Sequence, residues 1–195
     1  MREEFNADFW NQRYLTHDTS WDLGACSPPL KAYFDQLENK ALSILIPGAG
    51  NAHECKYLNQ LGFNFITILD ISAVVVERLK QELSDQPSIR IIESDFFKQD
   101  GQYDLIIEQT FFCALDPQLR KDYVKHMHDL LKPGGKLVGL LFNNDFNQPF
   151  PPFGGSEVEY RFLFSPWFTI EIMEPCYNSH PARQGNELFI QLIKK

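Results

Sequence analysis

The stretch ALSILIPGAGN, residues 41–51, decides the fold. Its first seven residues form an apolar run typical of a buried strand, and its Pro-Gly-Ala-Gly end predicts a tight turn. Residues 52–61 have the apolar spacing of a helix, and FNFITILD, residues 63–70, is again an apolar run. A strand, a helix and a second strand joined by short turns are typical of a parallel sheet covered by helices.

The same alternation continues through most of the chain. Residues 71–83 predict a helix capped by Ser72, and DPQLRKDYVKHMHDLL, residues 116–131, predicts another that ends at KPGG. Further strands are predicted at residues 88–94, 103–109, 136–142, 167–174 and 187–195, with a Pro- and Phe-rich loop at 143–155 and a short helix at 156–164. We therefore predict a doubly wound, Rossmann-like α/β fold whose seven-stranded, mostly parallel sheet carries helices on both faces.

Two tryptophans precede the first strand in an otherwise polar segment. Residues 4–15 predict a short amphipathic helix that carries Trp10, residues 30–38 predict a second helix, and Trp21 lies in the loop between them. Because Trp rarely stays exposed, we expect residues 1–40 to form a helical lid over the ligand edge of the sheet. Packing of Trp10 in the core, beside the phenylalanines of its own helix, remains an alternative.

The composition limits the classes of partner. The chain has 195 residues, a formal net charge of -8 and a hydrophobic content of 44%, which fits one domain, 1–195, built from the lid and a core over 41–195. The few Lys and Arg are scattered, which argues against nucleic acid and an anionic membrane surface. Without a signal peptide or a long apolar run we expect a cytoplasmic protein. The four Cys lack close pairs, so we expect reduced thiols and no metal site. We also expect a monomer.

The glycine turn and the acid that follows it predict a nucleoside cofactor. In doubly wound sheets ligands bind beyond the carboxyl ends of the strands, where Gly48, Ala49 and Gly50 allow the backbone to approach closely. Asp70 ends the second predicted strand, where a carboxylate can accept hydrogen bonds from a ribose diol. His53 replaces the last glycine of the dinucleotide fingerprint, which favours S-adenosylmethionine over a nicotinamide dinucleotide.

The end of the third predicted strand supports the same cofactor. Ser94-Asp95-Phe96 provides a carboxylate for the adenine amino group and an aromatic ring for the adenine face. The simpler interpretation is that Asp95 is a turn residue and Phe96 a core residue.

Five motifs in order resemble those of class I S-adenosylmethionine-dependent methyltransferases. They are LIPGAGNAHE, LDIS, ESDFF, YDLIIEQTFFCAL and LLKPGGKLV. FWNQRY, TSWDLG and SEVEYR, with the R-x-G-x-E of Arg183, Gly185 and Glu187, are similar more narrowly to the thiopurine S-methyltransferase family, including the plant-type halide, thiocyanate and thiol methyltransferases. The resemblance runs nearly from end to end.

The resemblance implies a set of cofactor-binding positions, of which the tryptophans would cover the cofactor. These positions are Trp10, Trp21, Gly48, Ala49, Gly50, Asp70, Ile71, Ser72, Asp95, Phe96 and Gln109. Gln109 departs from the family pattern, because relatives carry Arg or Tyr there. Ala49 and His53 also differ from the commonest residues of the first turn.

The resemblance further implies methyl transfer to a small soft nucleophile, such as a thiol, thiocyanate, a halide or a thiopurine. Candidates for the acceptor pocket are Arg13, His17, Thr110, Phe111, Phe112 and Phe153, with Phe146 and Phe150 of the loop 143–155. Arg13 would attract an anion, and His17 is the best candidate for a base. A methyltransferase acting on O or N, which would need His17 or Asp145, and an inactive protein that binds the cofactor remain alternatives.

Overall fold

A seven-stranded sheet forms the centre of the molecule in a computed structural model that describes residues 5–195. The strand order is β3-β2-β1-β4-β5-β7-β6, with β1 to β5 parallel and β7 antiparallel to both of its neighbours. The strands are β1 (Ile44–Pro47), β2 (Ile66–Asp70), β3 (Ile89–Glu93), β4 (Tyr103–Gln109), β5 (Leu131–Phe142), β6 (Phe168–Pro175) and β7 (Glu187–Lys194). The predicted fold class is confirmed.

Six α-helices accompany the sheet in the part of the chain that the structure describes. They are α1 (Ala7–Leu15), α2 (Pro28–Asp35), α3 (His53–Gln60), α4 (Ala73–Glu82), α5 (Arg120–Leu130) and α6 (Glu157–Phe164). Side chains of α2, α3 and α4 share one core cluster with Ile44 and Ile46, whereas α5 and α6 share the other with Leu45. Because successive residues of a strand face opposite ways, the two clusters lie on opposite faces of the sheet.

The predicted elements differ from the observed ones mainly at their ends. Asp116 caps a short 3-10 turn, Pro117–Leu119, rather than opening the α-helix itself, which begins at Arg120. Ser72 caps α4 as predicted, with its hydroxyl accepting the N–H of Val75.

The KPGG motif bulges out of β5 instead of separating the helix from the strand. Leu131 already pairs with Tyr103, and Lys136 pairs with Leu105, so the motif is accommodated by a register shift. Within residues 5–195 no helix combines the length and the apolar character needed to cross a membrane.

The segment before β1 packs against the sheet edge where the ligand was predicted. Residues 1–4 of the predicted lid lie outside the described part of the chain. Helix α1 contacts α4, and the Asn11 side-chain oxygen accepts hydrogen bonds from the Ser72 hydroxyl at 2.7 Å and the Val74 N–H at 3.3 Å. These bonds attach α1 to the N-terminus of α4, one turn after Asp70.

Candidate active site

A cavity of about 350 Å³ opens beyond the carboxyl ends of β1, β2 and β4. The sheet order reverses between β1 and β4, which is the switch point where ligands bind in doubly wound sheets. The cavity size lies within the range of small-molecule sites. Of the predicted site residues, those that line it are Trp10, Arg13, Trp21, Gly48, Ala49, Gly50, Asp70, Ile71, Asp95, Phe96, Gln109, Thr110 and Phe111.

The turn after β1 needs glycine at two positions for backbone reasons. Gly48 and Gly50 have φ angles of 60° and 53°, in the left-handed region that favours glycine. A side chain at Gly48 would meet the ring of Phe111 at 2.3 Å, and one at Gly50 would meet the Tyr14 hydroxyl at 2.9 Å. The turn therefore lies in direct contact with an aromatic wall on one side and with α1 on the other.

Asp70 fixes the turns after β1 and β2 to each other. Its carboxylate accepts the N–H of Gly50 at 3.0 Å and the N–H of Ser72 at 2.9 Å. Burial raises the pKa of Asp70, while these N–H groups and that of Ile71 act in the opposite direction. The carboxylate is thus held in a fixed orientation at the cavity wall.

Asp95 and Phe96 line the cavity at the end of β3. The Asp95 carboxylate accepts the N–H of Phe97 at 3.0 Å and caps the 3-10 turn Phe96–Lys98. The Phe96 ring is buried and lies 5.1 Å from the Phe111 ring in an edge-on arrangement. Asp95 is therefore a turn residue and Phe96 a core residue, as the simpler interpretation predicts, and both also border the cavity.

The two tryptophans meet over the cavity. Their rings are 5.6 Å apart and nearly perpendicular, and both are half-buried. Tyr14 packs on Trp21 at 5.8 Å, and the Arg13 guanidinium lies over the Trp21 ring at 5.0 Å while pairing with Asp18. Burial, followed by the charge of Asp70, raises the pKa of Tyr14, so this hydroxyl is neutral in the cavity wall.

The loop that carries Trp21 is tied to the core through Asp22. The Asp22 carboxylate lies 2.7 Å from Nε2 of His53 and accepts the Asn51 amide. Partial burial acts to raise the pKa of Asp22, but hydrogen bonds from Gly24, His53 and Asn51 outweigh it and lower the pKa. The loop is therefore bonded directly to the glycine turn and the first residue of α3.

A second tie reaches the same loop from the C-terminal part of the chain. Arg183 donates to the backbone oxygen of Trp21 and pairs with Glu187, and both of these charged residues are buried. On the α3 side, the Glu54 carboxylate accepts the Ser27 N–H at 3.1 Å, and burial raises the pKa of Glu54. Residues 51–54 and Arg183 thus both hold the segment between α1 and α2.

The end of β4 presents an unusual backbone to the cavity. Thr110 has a φ angle of 57°, which is strained for a β-branched residue. The Gln109 side-chain oxygen is buried and has no hydrogen-bond partner within residues 5–195. Because buried polar atoms are nearly always paired, this oxygen fits a ligand that donates a hydrogen bond.

Five predicted residues do not line this cavity: Phe150, described below with its loop, and four others. Ser72 is buried beneath Asn11 and Asp70, and Phe112 packs in the core against Tyr123. His17 is exposed in the loop after α1. Phe153 lines a neighbouring cavity, with its ring 5.7 Å from Phe5.

The loop 143–155 reaches the cavity through fewer aromatic rings than predicted. Phe146 lines the cavity together with Pro151 and Pro152, whereas Phe150 is half exposed.

Sequence reasoning missed several polar residues of the site. Glu54, Asn51, Tyr14 and Asn186 line the cavity, as does Arg183, which was noted only as part of a motif. Asn51 and Glu54 follow the glycine turn at once, so proximity to Gly50 was a usable signal for them. The other three come from distant segments, and only the folded chain brings them to the cavity.

Comparison with known proteins places the chain among methyltransferases. The model of the family described as thiopurine S-methyltransferase matches residues 5–190. The chain is 30% identical to probable thiol methyltransferase 2 of Arabidopsis thaliana, over 85% of this chain and 75% of that one. It is 27% identical to thiocyanate methyltransferase 1 of Brassica oleracea, over 91% and 81% of the two chains.

A solved structure shares the fold at lower identity. It is the Burkholderia thailandensis 1,6-didemethyltoxoflavin-N1-methyltransferase with bound 1,6-didemethyltoxoflavin and S-adenosylhomocysteine. The two structures align with a TM-score of 0.77 at 18% identity, over 96% of this chain and 86% of that one.

Proposed function

The chain belongs to the thiopurine S-methyltransferase family and is an S-adenosylmethionine-dependent methyltransferase, and on that premise we propose that its acceptor is a small soft nucleophile. The proposed acceptors are a thiol, thiocyanate, a halide or a thiopurine-like sulfur. The observation that carries this proposal is the cavity at the switch point. In it, the residues proposed to hold a nucleoside lie beside a wall of aromatic rings. The relatives that match are named for thiol and thiocyanate acceptors.

The cofactor is proposed to lie along the ends of β1 to β4. Asp70 would accept hydrogen bonds from the ribose, and Asp95 with Phe96 would hold the adenine. The glycine turn would run beside the methionine part of the cofactor. The unpaired side-chain oxygen of Gln109 would accept a hydrogen bond from the methionine ammonium group. When bound, S-adenosylmethionine supplies an activated methyl group on its sulfonium.

The aromatic wall would hold the reacting groups in line and exclude water. Trp10, Trp21 and Phe111 line the same cavity, and aromatic faces stabilise a cation by about 0.5–2 kcal/mol per favourable ring. The helical segment before β1, with Trp21 at its tip, would thus act as a lid. Its ties to His53 and Arg183 support this role, because they hold the loop across the cavity.

An anionic acceptor needs attraction rather than a base. Arg13 and Arg183 both line the cavity, where their positive charges would draw a thiolate or thiocyanate toward the methyl group. His17, the predicted base candidate, is exposed and does not line the cavity. A soft anion attacks a sulfonium without losing a proton, so this arrangement favours soft nucleophiles over hydroxyl or amine acceptors.

The acceptor is tested with S-adenosylmethionine carrying a labelled methyl group. The protein is incubated with iodide, thiocyanate, hydrosulfide, aromatic thiols and catechol, and labelled products are counted. We expect label in one or more of the sulfur or halide acceptors. Label in catechol alone would contradict the proposed acceptor class, and no label with any acceptor, despite cofactor binding, would indicate a binding protein without activity.

A pair of matched variants tests the cofactor placement in the same assay. Asp95→Asn removes the carboxylate proposed for adenine, and we expect it to raise the KM for S-adenosylmethionine about tenfold, the cost of one charge-assisted hydrogen bond. Asp100→Asn changes an exposed carboxylate outside the cavity and should leave the KM unchanged. Equal values for the two variants would contradict the proposed adenine site.

A further inference from the structure

Glu108 is a buried carboxylate that lies behind the cavity wall rather than in it. It stands in β4 directly before Gln109 and is fully buried. One of its oxygens accepts the N–H of Phe111 at 2.8 Å and the N–H of Phe112 at 2.9 Å, and the other accepts the Tyr123 hydroxyl. All three of these donors are neutral, so the carboxylate is bound by hydrogen bonds and not by an ion pair.

These hydrogen bonds form the turn that carries the cavity wall. The chain leaves β4 through the strained Thr110, and the next two N–H groups point back to Glu108. The Phe111 ring that follows fills the space above Gly48, where even a methyl group would collide with it. A strained conformation persists only when its surroundings hold it in place, and Glu108 is the group that receives both N–H donors here.

We propose that Glu108 is a positioning residue for cofactor binding, because its ionised carboxylate holds the Thr110–Phe112 turn and with it the Phe111 wall. The proposal rests on the proposed placement of S-adenosylmethionine in this cavity. Hydrogen bonds to an ionised acceptor are about twice as strong as those to a neutral one. The wall should therefore be held more firmly when Glu108 is charged than when it is protonated.

The ionisation of Glu108 falls in an accessible pH range. Burial raises its pKa to about 7, while the bonds from Tyr123, Phe112 and Phe111 act in the opposite direction. The titratable groups that face it are Tyr123 on α5, Tyr160 on α6 and Cys113 after the turn, and burial raises the pKa of each of them. These three groups therefore remain neutral between pH 6 and 8.

Two charged groups also lie near this cluster. Arg120 packs over the Phe112 ring at 4.9 Å and is paired with Glu159. The positive charge of Arg183 acts to lower the pKa of Cys113, against the larger effect of burial. Both groups are present in all three proteins compared below, so their effect is common to them.

Equilibrium binding of S-adenosylhomocysteine, measured by calorimetry from pH 5.5 to 8.5, tests the proposal with wild type, Glu108→Gln and Tyr123→Phe. We expect the wild-type affinity to rise about fivefold through pH 7. Glu108→Gln keeps a neutral acceptor for both N–H groups, so it should match the wild type at pH 5.5 and fall about fivefold below it at pH 8.5. Any pH dependence that arises from other groups or from the ligand is common to all three proteins and cancels in the comparison.

Tyr123→Phe serves as the second variant, because it leaves both N–H bonds of the turn in place. It removes a hydrogen bond that favours the charged carboxylate, so the midpoint of the pH dependence should move to higher pH. If Glu108→Gln shows the pH dependence of the wild type, or if Tyr123→Phe leaves the midpoint unchanged, the proposal is overturned. Absence of binding to the wild type at every pH would instead overturn the cofactor placement itself.

Discussion

Substitution of Gly48 by alanine tests how closely the glycine turn and the aromatic wall depend on each other. The φ angle of 60° costs a residue with a Cβ about 1–2 kcal/mol. The new methyl group would also lie 2.3 Å from a carbon of the Phe111 ring, and overpacking of this kind costs about 1–3 kcal/mol. We therefore expect Gly48→Ala to lower the free energy of unfolding by about 3 kcal/mol.

Gly62→Ala is the matched control for this substitution. Gly62 has a φ angle of 87°, and a Cβ there would have no heavy atom within 4 Å. Only the backbone cost of about 1–2 kcal/mol should remain. Urea unfolding of both variants separates the contribution of Phe111 from that of the backbone.

Binding and a double variant complete the experiment. Gly48→Ala should weaken S-adenosylhomocysteine binding, because the Phe111 ring must move, while Gly62→Ala should not. Adding Phe111→Ala to Gly48→Ala should cost less than the two single substitutions together, since the collision is gone. Equal losses of stability in Gly48→Ala and Gly62→Ala would refute the reasoning.

Three further substitutions probe the lid and the buried acid. Trp21→Ala should weaken S-adenosylhomocysteine binding while the circular dichroism of the sheet domain stays unchanged; a loss of stability alone would show a core role. Asn11→Ala leaves two donors of α4 unpaired and should cost about 1–2 kcal/mol of unfolding free energy, whereas exposed Gln12→Ala should cost almost none. Burial raises the pKa of Glu108 from 4.5 to about 7, so the stability that the protonated carboxyl provides is lost as the pH rises through 7. Glu108→Gln does not ionise and keeps its stability. Urea unfolding should therefore show the free energy of unfolding of Glu108→Gln rising relative to that of the wild type by up to about 3 kcal/mol between pH 4.5 and 8. A difference independent of pH would contradict this last expectation.

The sequence predicts the sheet and its ligand edge well because both depend on local patterns. The runs that became β1 and β2 are apolar at almost every position, and both strands are buried along their whole length. The carboxyl ends of parallel strands meet at one edge, so the sequence alone predicts that Gly48, Asp70 and Asp95 lie near one another. The structure brings all three to the same cavity.

Long-range side-chain pairs could not be predicted in the same way. The bonds of Asp22 with His53 and of Arg183 with Trp21 join segments far apart in the chain, and no periodic pattern marks them. Glu108 reads as one polar residue in an apolar strand, and only the folded turn shows what its carboxylate accepts. Phe146 and Phe153 lie in one loop of uniform composition, yet only Phe146 lines the ligand cavity, whereas both line the neighbouring one.

A crystal structure with S-adenosylhomocysteine tests the central claim most directly. We expect the adenine against Phe96 and Asp95, the ribose at Asp70, and the sulfur between the Trp21 and Phe111 rings. A nucleoside bound outside this cavity, or one whose ribose makes no contact with Asp70, would contradict the proposed site.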